Sequence, residues 1–423
     1  MNAEPTNPES SKAGPTLVDE SSAQQRRFAQ AFQLIRQGID ERVFPGAALA
    51  VVHRGRLLAW EGFGRFTYEA DSPEVCRETI WDLASLTKPV ATASMAMLCY
   101  ERGLLELDAP VVQYLPEFAE LVSRDAPLPP QHVNNRRTGD PGLPPQHAHN
   151  RRTGDPGLNA GAIIDDQLQR EWRRSITVAM LLAHSSGLPA HRRLYLEAQG
   201  REAIQALARH LPLEAAPGTR AEYSDMGFIV LGELLERVAG ERLDQFCRRE
   251  LFIPLKINMS FMPQTIVRKA IPPTVNDLVY RHRIVQGEVN DENAEAMGGV
   301  AGHAGLFGDA LSVARFGECL LCGGAPLFRP ETVALFIARR SVPAGTSRTL
   351  GWDTPSTPSQ SGTLFSPRSF GHLGYTGTSL WCDPERQLSV TLLTNRTWPD
   401  SRNQAIKVLR PKVHDEIVGT LGE

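Results

Sequence analysis

Ser85-Leu86-Thr87-Lys88, at the head of a largely apolar stretch that runs to Glu101, decides how the rest of this chain is read. A spacing of three on a helix puts Ser85 and Lys88 on one face, about a turn apart, so that the amine can reach the hydroxyl. A serine hydroxyl is a poor nucleophile until a neighbour takes its proton. A lysine desolvated in a cleft can have its pKa lowered enough to serve. The start of a helix adds backbone N–H groups that favour developing negative charge. With 24 serines and six lysines among the 423 residues, however, chance often supplies this spacing. A helix cap followed by a surface lysine would look the same. What surrounds the stretch has to decide.

The length has room for roughly two or three domains, or for one large fold in two lobes. With 45 basic against 48 acidic residues and no long basic run, nucleic acid is not an expected partner. Only six of the basic residues are lysine, which makes Lys88 conspicuous. No apolar run reaches the roughly 18 to 20 residues that span a bilayer, so no membrane span is expected. Residues 1–25 are acidic and rich in Pro and Ser where a secretory signal would be basic and then leucine-rich, so the expected location is cytoplasmic. The six cysteines (Cys76, Cys99, Cys247, Cys319, Cys322 and Cys382) are too few for a disulfide framework. Cys319 and Cys322 form a C-x-x-C, but it follows an amphipathic helix pattern (Val313, Phe316, Leu320) and has no second Cys or His pair. Ordinary helix packing is the expectation there, with no metal site.

Residues 1–22 are polar and read as a disordered tail. Phe28, Phe32, Ile35 and Ile39 then recur at helical intervals. Residues 47–53 and 57–60 are apolar runs hinged at Arg54-Gly55, a hairpin signal. Near the other end, residues 379–382 and 388–394 form a similar pair around Asp383-Pro384-Glu385, and a last helix is expected over 401–421. Between these ends the chain turns mostly helical, over 89–101 ending at Gly103, 177–183 ending before Gly187, and 226–238 ending at Gly240. The predicted fold class is therefore α+β, an α/β sandwich. An antiparallel sheet is built from both chain ends and flanked by helices, with a mostly helical lobe inserted and a cleft between the lobes. Residues 23–420 form one domain on this reading.

Residues 128–142 are repeated almost letter for letter at 143–157, the copies differing only at Val133 against Ala148 and Asn134 against His149. A segment of this Pro, Gly, Asn and Arg content buries no face, and two copies are too few for a solenoid. Residues 125–160 or so are therefore expected to be a low-complexity surface insertion, with His132, His147 and His149 solvated instead of holding metal.

There is no G-x-S-x-G elbow, no H-E-x-x-H, no Walker lysine and no G-x-G-x-x-G after a strand. After the Ser85 motif come Pro217-Gly218 with Tyr223-Ser224-Asp225 before a helix, and Gly371-His372-Leu373-Gly374-Tyr375-Thr376-Gly377 at the late hairpin. In that order they resemble the serine β-lactamase and penicillin-binding-protein superfamily. The nearest branch is the class C β-lactamase-related one, which includes family VIII carboxylesterases and D-specific peptidases. Two further stretches match, at residues 182–189 and 298–307, so the resemblance covers about residues 40–400 apart from the repeat.

The resemblance implies a β-lactamase/transpeptidase-like fold and a set of roles. Ser85 would be the acylated nucleophile, Lys88 its base partner and Tyr223 the phenol that relays the proton. His372-Leu373-Gly374 takes the place of K-T-G on the cleft strand, and the backbone N–H groups of Ser85 and Tyr375 would form the oxyanion hole. Asp225, His372 and Gly374 would line the substrate. Ser185 and Ser186 are expected to end a helix, Asn290-Asp291-Glu292-Asn293 is a polar loop that could also line the cleft, and His303 is left without a role.

Asp225 stands where β-lactamases use a donating Asn, and His372, only partly cationic near pH 7, replaces the K-T-G lysine. Asp225 could instead welcome a substrate amine. The function expected is a serine hydrolase that acts through an acyl-serine on small esters, amides or peptides, of the carboxylesterase or D-peptidase kind, with no cofactor and no metal. The alternatives are a class C-like β-lactamase and a non-catalytic domain that senses cell-wall peptides.

Overall fold

The computed structural model describes residues 17–120, 165–262 and 265–422. The tandem repeat at 128–157 and its three histidines lie outside the described residues.

Both chain ends meet in one six-stranded sheet, as the pattern predicts. Its order is Val18–Asp19, Arg56–Gly64, Gly46–His53, Leu388–Thr394, Ser379–Asp383 and Phe370–Leu373. The first hairpin turns on Arg54 (φ 52°) and Gly55 (φ 75°). Both lie in the left-handed region that a two-residue turn between twisted strands requires. All pairings are antiparallel except at one edge, where Val18 and Asp19 run parallel to Arg56 and Leu57. That edge corrects the expected tail to residue 22. Val18–Asp19 form a strand and Ser21–Ala23 a 3-10 turn, because the backbone of Val18 and Glu20 donates to Gly55 and Leu57 carbonyls, a gain no polar side chain is needed for.

One face of the sheet is covered by the helices Ala29–Asp40 and Ile406–Leu421. Phe28, Phe32, Ile35, Leu49, Val51, Trp381, Leu392, Val413 and Ile417 form a core there. The last helix starts at Ile406, later than expected, since residues 395–405 are spent on turns. The other face carries the helix Ala310–Leu321. Its Gly317 lets the backbone approach closely: a Cβ there would fall 3.1 Å from Leu380 Cδ1. Cys319 is buried in this helix and both thiols of the C-x-x-C are free.

Beyond that helix lies the helical section, with Ser94–Glu101 and Asp225–Ala239 at its centre. Asp225–Ala239 begins on Ser224, whose Oγ caps the Gly227 N–H at 2.9 Å, and ends at Gly240 with φ 66°. Among the described residues no helix is long and apolar enough to cross a membrane.

Candidate active site

Ser85 is delivered by a small three-stranded sheet. The strand Trp81–Asp82 pairs with Leu306–Gly308, which also pairs with Met259–Phe261. The chain then makes a 3-10 turn, Ala84–Leu86, entered through Ala84 at φ 47°. A left-handed alanine is strained, and Asp82 holds it by accepting the Ala84 N–H at 2.8 Å on Oδ1. The buried Asp82 also accepts the Asn290 N–H at 2.6 Å on Oδ2, and burial pushes its carboxyl up to about 6. The expected helix after Ser85 opens with a π-helical turn, Lys88–Ala93, before regular α geometry begins at Ser94.

Lys88 is fully buried and its ammonium has three acceptors: Ser85 Oγ at 3.0 Å, Asp225 Oδ1 at 2.7 Å and the His303 carbonyl at 2.9 Å. Three N–H bonds meet three acceptors, so the group is satisfied. The Tyr223 hydroxyl donates to the same Ser85 Oγ at 2.7 Å, and Lys88 Nζ lies 4.8 Å from the Tyr223 ring centroid. The three residues read as catalytic therefore converge on one oxygen, across 138 residues of chain.

On the other side of Ser85, Tyr375 leaves the strand Phe370–Leu373 in a turn closed by the Gly374 N–H on the Thr378 carbonyl at 2.8 Å. Thr376 Oγ1 donates to the Asp82 carbonyl at 2.8 Å, and Thr378 Oγ1 to the Leu83 carbonyl at 3.0 Å. A Cβ on Gly374 would sit 1.9 Å from Thr378 Oγ1 and 2.6 Å from the Leu83 carbonyl oxygen, so only glycine fits.

The family model described as Beta-lactamase matches residues 31–412. The chain belongs to the Beta-lactamase family. It is a serine hydrolase of that fold. An "N-acetylmuramyl-L-alanine amidase" of Bacillus subtilis (strain 168) is 28% identical, over 90% of this chain and 84% of that protein. A protein of Escherichia coli (strain K12), provisionally named a D-alanyl-D-alanine carboxypeptidase, is 28% identical over 75% of this chain and 69% of its own length. Among solved structures, "EstCE1, a hydrolase with promiscuous acyltransferase activity", superposes with a TM-score of 0.66 at 21% identity, covering 93% of this chain and 100% of that one.

Within the Beta-lactamase family frame, the structure corrects three expectations about charge. Burial pulls the Lys88 pKa down, but the Asp225 carboxylate and Tyr223 outweigh it, so the net direction is up instead of down. Asp225 is not free for a substrate amine. Burial opposes its charge, yet the Lys88 ammonium and His191, whose Nδ1 lies 3.7 Å from Oδ2, hold the carboxyl well below its usual range. His372 is not partly cationic: burial, followed by Lys88 and Arg348, pushes it down to about 3. Its Nδ1 meets the Leu373 carbonyl at 2.8 Å and must carry the proton, which leaves buried Nε2 as an acceptor without a partner among the described residues.

The serines beside Gly187 do end a helix. Val178–Leu182 stops there, the Ser185 N–H reaches back to the Met180 carbonyl at 2.8 Å, and Ser186 Oγ accepts from Leu188 N–H at 3.3 Å. Their neighbour His184 has a role that nothing in the local sequence marks. It accepts the Ser224 N–H on Nδ1 at 3.0 Å and lies tilted by 35° against Tyr223, 4.7 Å between ring centroids, which braces the phenol.

Asn290-Asp291-Glu292-Asn293 is more than a polar loop. Asn290 binds Asp82, Asp291 Oδ1 meets His303 Nε2 at 2.7 Å, and Asn293 accepts the Tyr195 N–H at 3.0 Å. Asp291 and the buried His303 thus brace the carbonyl that Lys88 uses. Arg348 was also missed. Its guanidinium carbon lies 5.5 Å from the Tyr223 ring centroid and its charge bears on His184 and His372. Nothing in its local sequence singles out one arginine in a chain that holds so many.

Proposed function

We propose that this hydrolase acylates itself at Ser85 and cleaves small amides of the D-peptide or muramyl-peptide kind, with activated esters as faster surrogate substrates. One observation carries the reading: Ser85 Oγ receives hydrogen bonds from both Lys88 and Tyr223.

In the reaction, Ser85 Oγ attacks the substrate carbonyl carbon while its proton passes to the Lys88–Tyr223 pair. The pair can accept that proton only after giving one up, so Asp225, by holding Lys88 charged, sets the pH at which this happens. The tetrahedral oxyanion rests against the Ser85 and Tyr375 N–H groups, donors of a kind worth about 10² to 10³ in rate each. Collapse breaks the carbonyl–nitrogen bond, and the Tyr223 hydroxyl protonates the departing amine. Water then attacks the ester while the pair takes its proton, and the pair returns that proton to Ser85 Oγ as the acyl–oxygen bond breaks and the acid leaves.

The amide preference draws on the amidase and carboxypeptidase relatives, whose matches extend along most of their length. Arg348 adds to it: it is paired with Asp353 at 3.3 Å, and the rest of its guanidinium beside Tyr223 suits a substrate carboxylate. His372 Nε2 suits a substrate N–H. The class C-like β-lactamase reading loses support because Asp225 is occupied by Lys88 and donates nothing to a substrate carbonyl. A non-catalytic sensor has no need of three converging groups.

The test is labelling with a fluorophosphonate and a fluorescent penicillin, followed by turnover of p-nitrophenyl acyl esters, D-alanyl-D-alanine peptides, N-acetylmuramyl-L-alanine and nitrocefin. We expect an adduct on Ser85, peptide or muramyl-amide turnover, little nitrocefin turnover, and loss of all of it in Ser85→Ala. Label on another residue, or full turnover by Ser85→Ala, sinks the proposal.

A further inference from the structure

Between the turn at residues 374–378 and the first turns of the helix Ile406–Leu421 lies a cavity of about 150 Å³. At roughly 10–15 Å³ per water, it has room for several waters or one small oxyanion. Its walls include Gly374 and three cations, Arg396, Lys407 and Arg410, and no acidic side chain.

Arg410 is 3% exposed and Arg396 6%. Arg410 donates to the Gln360 side-chain carbonyl and to the Gly377 carbonyl, each at 2.9 Å, and its buried Nε has no partner among the described residues. Arg396 donates to the Tyr375 carbonyl at 2.8 Å and to the Ser401 and Asn403 carbonyls at 2.8 and 3.1 Å. Every one of these acceptors is neutral. The half-buried Arg201 and Arg209 meet Glu236 and Glu233, whereas Arg396 and Arg410, like the fully buried Arg173, meet carbonyls alone. Here burial, with Arg396 adding to it, pushes Arg410 down to about 9, the mark of a cation short of a counter-charge. The helix N-terminus at Ile406 and Lys407 adds its partial positive charge on the same wall.

We propose that this cavity binds a small oxyanion, carboxylate or phosphate, and that its occupancy is transmitted to the oxyanion turn through Arg396 and Arg410. Both arginines hold carbonyls of that turn, at Tyr375 and Gly377. An anion that draws on either guanidinium therefore shifts the balance of bonds that fixes the Tyr375 N–H. Coupling of this kind is reciprocal: whatever orders the turn also tightens the anion site. The oxyanion comes either as a free ion or as a carboxylate carried by the substrate.

The experiment titrates inorganic phosphate and, separately, acetate into the full chain, with ionic strength held constant by chloride, and follows thermal unfolding and heat of binding. Neither readout depends on the acyl chemistry proposed for Ser85. A saturable rise in the unfolding temperature is expected. In Lys407→Met, a substitution at an exposed position, affinity falls by about threefold, as loss of one rim charge implies. In Arg410→Gln the response disappears. If Arg410→Gln does not fold, Lys407→Met decides alone.

A rate arm separates the sources. A free effector changes turnover of a neutral p-nitrophenyl ester, whereas a substrate subsite makes phosphate competitive with a carboxylate-bearing substrate and leaves the neutral ester unaffected. No saturable response beyond chloride, or an undiminished one in Lys407→Met, overturns the proposal.

Discussion

Lys88 Nζ lies 3.0 Å from Ser85 Oγ and 2.7 Å from Asp225 Oδ1, so one ammonium is shared between the Ser85 hydroxyl and a carboxylate 137 residues further along the chain. The third residue of Tyr223-Ser224-Asp225 thereby controls the charge of the group beside Ser85. Where an asparagine in that place would offer a donor to substrate, the aspartate turns inward and fixes a proton on the lysine.

In Asp225→Asn the carboxylate that raises the Lys88 pKa is gone, and burial is left to pull it down. The Lys88–Tyr223 pair then releases its proton at lower pH. The acid limb of the kcat/KM profile is expected to move down by about one unit or more, the usual effect of one adjacent opposite charge. A limb that stays put or moves up would show that Asp225 does not set this titration.

Tyr223→Phe removes one of the two donors on Ser85 Oγ and the proton for the leaving amine. The ring and its contact with His184 are kept, so binding is preserved. We expect kcat to fall by about 10² to 10⁴, the range for a lost acid–base group, with KM little changed. A KM effect larger than the kcat effect would assign Tyr223 to binding.

Gly374→Ala places a methyl 1.9 Å from Thr378 Oγ1 and 2.6 Å from the Leu83 carbonyl oxygen. The turn has to shift and take the Tyr375 N–H with it. Overpacking of this kind costs about 1–3 kcal/mol of stability. Loss of one oxyanion donor lowers kcat by about 10² to 10³. Urea unfolding and single-turnover acylation separate the two effects, and unchanged acylation would remove Tyr375 from the oxyanion hole.

Stability should fall with acid through buried histidines. Burial, with Arg410 beside it, pushes His414 down to about 3, against 6.5 as the ordinary value. The unfolded chain then takes up a proton near 6.5 that the native chain refuses until about 3. The contribution is complete above 6.5 and is lost as pH falls through that window, at up to about 1.4 kcal/mol per unit. Between pH 7 and 5 the loss from His414 is about 2 kcal/mol. His414→Leu should narrow the gap between urea midpoints at those two pH values, and an unchanged gap would rule this residue out.

The parts of this molecule written in local periodicity could be read from the sequence. The hairpin at Arg54-Gly55, the helix that ends at Gly240 and the Ser85–Lys88 spacing each depend on residues within a few positions of one another. Val18–Asp19 could not be read, because two residues carry no period and the strand exists only where Arg56 and Leu57 offer an edge. Asn290 to Asn293 looked like solvated loop because their partners, Asp82, His303 and Tyr195, lie far away in the chain. The ionisation of Lys88 and His372 was misjudged for a related reason: it depends on burial and on charges that meet only after folding. A motif names the group, and the fold sets its proton.

The threonine bonds from residues 376 and 378 to the Asp82 and Leu83 carbonyls have a mechanical consequence. They rivet the turn that carries Tyr375 to the segment that carries Ser85, so a shift of either is passed to the other. Tyr223 comes from another element and is tied to the same segment by its hydroxyl on Ser85 Oγ and by the Lys88–Asp225 ion pair. A substitution at Thr376 or Thr378 therefore reaches the Ser85 segment without touching the cleft itself.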